Sequence, residues 1–241
     1  MSSPIGPEFI EKTKHRNLGP SDQQMGASPP PLQTKFDQAG KIISLPAGTI
    51  DSDFKKIIDT RTSVRSYRKI PLTQDELSFL LWCTQGVKQI EAPFHTFRTV
   101  PSAGARHALE TYLLINNVES LSPGLYRFLA LEHQLKEFII NDEIAQHITR
   151  ACLGQSFIKN SAATFIWTAV PHRMTWRYQQ RGYRYLFIDV GHVCQNLYLS
   201  AESIDCGVCA VAAYDDDALN DLLQLDGKSQ FTIYLASVGK K

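Results

Sequence analysis

Apolar positions begin to recur with a regular period only after about residue 49, and this contrast divides the chain. Residues 1–48 are rich in Pro, Gly, Ser and Gln, with SPPP at 28–31. They predict an irregular arm lying over the body or over a partner. The following domain, 49–241, opens with DSDFKKIIDTR. Asp51 or Ser52 can cap a short helix there, with Phe54, Ile57 and Ile58 on one face and an end near Thr60. Thr73-Gln74-Asp75-Glu76 has the form of a capping box, and Leu77, Leu80, Leu81 and Trp82 supply the apolar face behind it.

Short β-rich runs at 111–115, 124–128 and 133–138 are separated by turns carrying Asn, Pro and Gly, which predicts neighbouring, partly antiparallel strands. Next come a helix over 141–152, a buried strand over 162–170 and a long helix over about 185–204. Phe187, Ile188, Val193, Leu197 and Leu199 make that helix apolar almost all round, which predicts deep burial. A strand at about 206–212, a helix opened by Asp215, Asp216 and Asp217, and a strand over 231–238 complete the pattern. Strands and helices mix without a regular βαβ repeat, so the expected class is α+β.

Composition narrows the function classes. The 241 residues are 43% hydrophobic and 10% aromatic, enough for a sizeable core. Lys and Arg total 25 against 24 Asp and Glu, so no global field draws a polyanion and no nucleic-acid partner is expected. No apolar run reaches the roughly 18 to 20 residues that span a bilayer, and the basic and apolar blocks of a signal peptide are missing. The expectation is a cytoplasmic chain without membrane association. Cys83, Cys152, Cys194, Cys206 and Cys209 are odd in number and scattered, which favours reduced, buried thiols. A metal or redox pair at the C-x-x-C of 206–209 is the alternative. His192 and Cys194 make poor additional ligands, being two apart on a helix and pointing about 200° from each other.

Two segments carry candidate chemistry. In an extended backbone Arg61, Ser63 and Arg65 fall on one side, where two guanidinium forks and a hydroxyl suit a phosphate or the electron-rich edge of a heterocycle. The bland alternative is a solvated basic loop. Val100-Pro101-Ser102-Ala103-Gly104-Ala105-Arg106-His107 is a run of small residues ahead of a strand, which admits a flat ligand to the backbone or makes an ordinary tight turn. Neither a G-x-G-x-x-G after a strand, nor a P-loop, nor a G-x-S-x-G elbow is present.

Taken in order, SLP, RTSVRSY, PSAGARHALE, YRYLFIDVGHVCQNLYLSAE, CGVCAVAAYDDDALNDLLQLDG and SVGKK resemble the nitroreductase superfamily over about Ile43 to Lys241, specifically its SagB-type dehydrogenase branch. The resemblance implies a nitroreductase-like fold with a mixed, mostly antiparallel central sheet flanked by helices, working as a dimer around FMN. It implies that Arg61 and Ser63 bind the FMN phosphate side and that Arg65 reaches the pyrimidine edge of the ring. Pro101, Ser102, Ala103 and Ala105 correspond to a loop lent by the other subunit. Ala212 and Ala213 fall where backbone N–H groups approach flavin N5, with Ala213 at a position often held by Gly. Lys240 and Lys241 fall where basic residues close on the phosphate. No metal is implied.

Ring-oxidising members of the branch resemble one another in a Lys-Tyr pair, where this chain has Arg177-Tyr178. Arg stays charged at any ordinary pH and is a poor proton shuttle. Tyr178 is then a candidate proton donor or a packing residue. His107 and His192 are weaker acid–base candidates, since a lone His among apolar residues is more often structural. The expected activity is FMN-dependent hydride transfer between NAD(P)H or a reduced substrate and an organic acceptor. Oxidation of a ring in a modified peptide or small natural product is one alternative. A non-catalytic flavin-binding accessory subunit is the other.

Overall fold

The computed structural model describes residues 4–20, 24–26, 53–91 and 95–241. The proposed caps Asp51 and Ser52, the SPPP run and the SLP motif lie outside the described residues. The elements are α1 (Ile5–Lys12), α2 (Asp53–Thr60), α3 (Gln74–Gln85), β1 (Val87–Glu91), β2 (His95–Arg98), β3 (Leu109–Ile115), β4 (Gly124–Leu129) and β5 (Gln134–Ile139). They continue with α4 (Ile144–Ala151), α5 (Phe157–Asn160), β6 (Ala163–Ala169), α6 (Pro171–Tyr178), α7 (Gly182–Glu202), β7 (Cys206–Val211), α8 (Asp216–Leu222) and β8 (Phe231–Lys240).

Six strands form one sheet in the order β5-β4-β3-β6-β8-β7, each pair antiparallel. Period two sends alternate side chains to opposite faces. Leu113, Phe165, Trp167 and Ala236 enter a core cluster with Leu80 of α3 and with Val193 and Leu197 of α7. Their neighbours Leu114, Ile166 and Leu235 enter a second cluster with Ile148 of α4 and Leu219 of α8. The α+β expectation and the antiparallel pairing hold.

The predicted caps of α3 and α8 are present. Thr73 Oγ1 accepts from Glu76 N at 3.1 Å while Glu76 Oε2 accepts from Thr73 N at 3.0 Å, closing the capping box of α3. Asp215 caps α8 by accepting from Ala218 N at 3.0 Å.

Three features differ from the sequence pattern. The arm contains α1, whose Gly and Pro argue against a helix, because tertiary contacts hold it. Gly6 N donates to Gln180 Oε1 at 3.2 Å, Lys14 pairs with Asp217 at 2.6 Å, and Phe9 meets Phe187 edge-on at 5.9 Å. The β1–β2 hairpin, the short α5 and α6 fall where no element was expected. Lastly, α7 buries Leu186, Val190, Val193 and Leu197 but leaves Phe187 42% and Ile188 53% exposed. It packs on one face of the sheet; on its outer side Phe187 meets Phe9 of α1, and Ile188 stays exposed among the described residues.

Candidate active site

The 61–68 segment runs extended along β7 and β8. Ser63 bridges Val208 in parallel, Val64 N donates to Val208 O at 2.9 Å, and Arg68 N donates to Lys240 O at 2.9 Å. Two glycines permit the close approach. A Cβ on Gly207 would lie 2.6 Å from Val64, and one on Gly239 would lie 2.9 Å from the Tyr67 ring. Val64 and Tyr67 are thereby seated on the sheet, and Tyr67 Oη is held by Val64 O at 2.8 Å and Ser237 Oγ at 2.7 Å.

Arg61 and Ser63 meet at a residue the sequence reading missed. The Arg61 guanidinium lies over the Tyr198 ring, 5.3 Å from its centre, and Ser63 Oγ is 3.0 Å from Tyr198 Oη. Tyr198 Oη also accepts from Ala210 N at 2.9 Å, so one phenol ties the basic segment, α7 and β7 together. Arg65 lies near enough to Tyr67 and Cys209 to lower the pKa of each, though burial dominates and raises both. Lys240 pairs with Glu76 and Lys241 with Glu202. Burial works against the Lys240 charge, but Glu76 and Cys206 outweigh it and hold its pKa up. Glu202 also interacts with Thr60 and Arg61, which places Lys241 and Arg61 around one carboxylate.

The small-residue loop is held from α7 by Asp189. Ser102 Oγ donates to Asp189 Oδ2 at 2.5 Å, Ala103 N donates to Oδ1 at 3.3 Å, and His107 N donates to Ser102 Oγ at 2.9 Å. Asp189 is 4% exposed, and burial raises its pKa despite those hydrogen bonds. Gly104 has φ +58°, and a Cβ there would sit 2.5 Å from Tyr178 Oη. Tyr178 therefore abuts the loop, packed edge-on to Tyr185 at 4.9 Å. Pro101 is exposed, and Ala105 takes φ +53°.

Asp189 and Tyr198 are nine residues apart on α7, about 14 Å along the axis at 1.5 Å per residue. Within one chain the loop and the basic segment thus sit at different levels of the same helix.

Ala212 and Ala213 are exposed and border a cavity of about 680 Å³. Its walls include Phe187, Val190, Phe231 and Tyr234, and Ile10 of α1 closes one side. Thr232 lines the same cavity, and its buried Oγ1 has no hydrogen-bond partner among the described residues. A largely apolar slot of this size, bordered by the exposed Ala212 and Ala213, suits a flat heterocycle.

Of the histidines, His107 is buried and pushed down to about 4, first by burial and then by Arg98, so it is neutral at pH 7. His192 is exposed rather than packed in the core. Burial raises the Cys194 thiol to about 12 and the Cys206 thiol to about 11, which keeps both protonated.

The profile of the nitroreductase family matches residues 58–240. A protein of Methanocaldococcus jannaschii, named only provisionally as a nitroreductase, is 35% identical over 185 residues, covering 77% of this chain and 89% of the relative. The trifolitoxin operon protein TfxC of Rhizobium leguminosarum bv. trifolii is 25% identical over 227 residues, covering 88% of this chain and 63% of its own. Among solved structures, the E. coli microcin synthetase complex with a truncated pro-peptide bound contains a chain of TM-score 0.65 and 19% identity, covering 98% of this chain and 86% of that one. An Anabaena variabilis structure has TM-score 0.63 at 25% identity and covers 78% of this chain, which spans 38% of it. With the family profile matched from α2 to the last strand, this chain belongs to the nitroreductase family and is an oxidoreductase of that fold.

Proposed function

We propose that residues 49–241 form an FMN-binding domain that acts in the cytoplasm as an oxidoreductase, with residues 1–48 as an arm upon it. The observation that carries this reading is the slot beside Ala212 and Ala213, with Arg61 and Ser63 gathered at Tyr198. In this reading Arg61 and Ser63 hold the phosphate side, Arg65 the pyrimidine edge, and Lys240 and Lys241 are cations that can turn from Glu76 and Glu202 toward the phosphate. When bound, FMN supplies two-electron chemistry, passing hydride through N5 between NAD(P)H or a reduced substrate and an organic acceptor. Tyr178, beside the loop, is the candidate proton donor.

The same reading makes the working unit a homodimer. Pro101, Ser102, Ala103 and Ala105 would serve the partner's flavin, in keeping with their separation from Arg61 along α7. Ile188 of α7 and Phe54 and Ile58 of α2 are exposed among the described residues, and a second copy would take such apolar side chains out of water. An obligate interface would bury above roughly 2,000 Å².

A titration of flavin-free protein with FMN tests the assignment, with saturation expected at one flavin per chain. Arg61→Ala should weaken binding by roughly 2 to 4 kcal/mol, the scale of a lost charge-assisted phosphate contact. Arg68→Ala should cost less, because Arg68 Nη1 already donates to Lys241 O at 3.2 Å. Folded protein with no affinity for FMN would refute the assignment.

A second reading rests on the similarity to the trifolitoxin operon protein: ring oxidation in a modified peptide, as in a SagB-type dehydrogenase. Arg177 in place of the lysine of that branch weakens it. Turnover of a quinone or nitroarene with NADPH favours the reductase, whereas bound flavin without such turnover favours peptide oxidation or an accessory subunit.

A further inference from the structure

A second cavity, about 430 Å³, lies between the β1–β2 hairpin, the residues after the small-residue loop, and the β3–β4 side of the sheet. Part of its wall is apolar, at Ile90, Phe128 and Leu131, and the rest is strongly cationic. Four guanidiniums, from Arg98, Arg106, Arg127 and Arg173, line it against two carboxylates, Glu110 and Glu132. Arg127 and Arg173 both pair with Glu110. The Arg106 guanidinium lies over the exposed Trp176 ring at 4.7 Å, and its Nε donates to Arg173 O at 3.0 Å.

Arg98 is the group left over. It donates to two neutral oxygens, Gln85 Oε1 at 2.8 Å and Thr96 Oγ1 at 3.2 Å, and no carboxylate pairs with it among the described residues. Its pKa is pushed down to about 10, by burial first and then by Arg173 and Arg127, against the pull of Glu110. The two nearby histidines do not relieve the imbalance. His107 is neutral, and His95 faces Glu91 at 3.1 Å. A half-buried guanidinium beside two others and one shared carboxylate carries uncompensated charge, and a ligand that brings negative charge would offset it.

We propose that this cavity binds a small organic anion, a carboxylate or a phosphate monoester carried on an apolar body, with Arg98 as its principal cation. The apolar wall would take the body and the Arg98 fork the planar or tetrahedral anion. Ala105 and Arg106 line the cavity and continue the small-residue loop, so the anion would be held beside that loop. The binding itself does not depend on FMN.

Isothermal titration of the flavin-free full chain with benzoate, phenyl phosphate and the neutral benzamide tests this, with Trp176 fluorescence as a second readout. At least one anion should bind ten times more tightly than benzamide, and the tighter of the two identifies carboxylate or phosphate as the natural group. Arg98→Gln should weaken that anion tenfold or more, as expected for one charge-assisted contact at about 1.4 kcal/mol per decade. Arg98→Lys should recover part of the loss, and Glu110→Gln should tighten binding by removing the competing charge. If Arg98→Gln fails to fold, Arg173→Gln at the cavity mouth should weaken the anion in the same direction. Equal affinity for benzoate, phenyl phosphate and benzamide, or anion binding untouched by the arginine substitutions, would overturn the proposal. FMN titration of Arg98→Gln should match the parent chain, so failure of the flavin assignment and failure of the anion site are read separately.

Discussion

Asp189→Ala separates the small-residue loop from α7 and yields a signed, measurable cost. The carboxylate accepts from Ser102 Oγ and Ala103 N while only 4% exposed. Hydrogen bonds to a charged group contribute about 1.5 to 3 kcal/mol each, but the raised pKa shows that burial of the charge outweighs their charge-dependent part, so the cost of the substitution is mainly that of the donors left without an acceptor. In the alanine variant Ser102 can turn toward water, whereas Ala103 N–H loses its acceptor. The net cost should be about 2 to 3 kcal/mol. Asp189→Asn keeps one acceptor oxygen without the buried charge and should cost about 1 kcal/mol or less.

Urea unfolding followed by tryptophan fluorescence reads both variants, provided the slope is unchanged. The pH dependence adds an independent check. The folded-state pKa of Asp189 lies above its unfolded value, so the native chain binds the extra proton and this group contributes more stability as pH falls through the folded pKa. The deficit of Asp189→Ala should therefore be larger near pH 4 than at pH 7. A deficit under about 0.5 kcal/mol, one equal for Ala and Asn, or one that shrinks in acid would refute the reasoning.

Gly104→Ala should cost about 1 to 2 kcal/mol, part from its left-handed backbone and part from the contact with Tyr178 Oη. Adding Tyr178→Ala should remove only the steric share, as a double-mutant cycle in thermal unfolding would show. Gly207→Ala presses on Val64 and should lose about 1 to 3 kcal/mol, with partial recovery in the Val64→Ala background. His107 has its folded pKa lowered to about 4, so the unfolded chain takes up its proton first and stability falls as pH drops from about 6.5 to 4. That contribution, about 3 kcal/mol in all, should vanish in His107→Asn, since Asn tolerates the φ of +42°. Denaturant titrations across that window, parent minus variant, would measure it.

What could be read from sequence was what local chemistry specifies. The Thr73–Glu76 capping box, the Asp215 cap and the β-rich strands 111–115 and 124–128 reappear because each is decided by residues a few positions apart. The outward side shared by Arg61 and Ser63 was legible from period two. Their meeting point, Tyr198, was not, because it lies 135 positions beyond Ser63. Asp189 was hidden in the same way, 87 residues from the serine it holds. It had one signal: an acid within an otherwise apolar helix needs a partner. The Pro171 that opens α6 was a usable start signal left unread, whereas β1, largely exposed, has no apolar alternation to mark it. Sequence apolarity overstated the burial of α7, since it registers every surface that must leave water without saying whether this chain or another covers it.

The position of β8 between β6 and β7 sets an order of events during synthesis. Until residues 231–240 leave the ribosome, β6 shows an unpaired edge, and β7, with Cys206, Val208 and Cys209, has no neighbour in the main sheet. Both edges are rich in β-forming apolar residues, the kind that join other nascent chains. A translational pause before Phe231 should therefore favour aggregation, whereas β3 and β4, whose pairing closes within Leu109–Leu129, can form long before it.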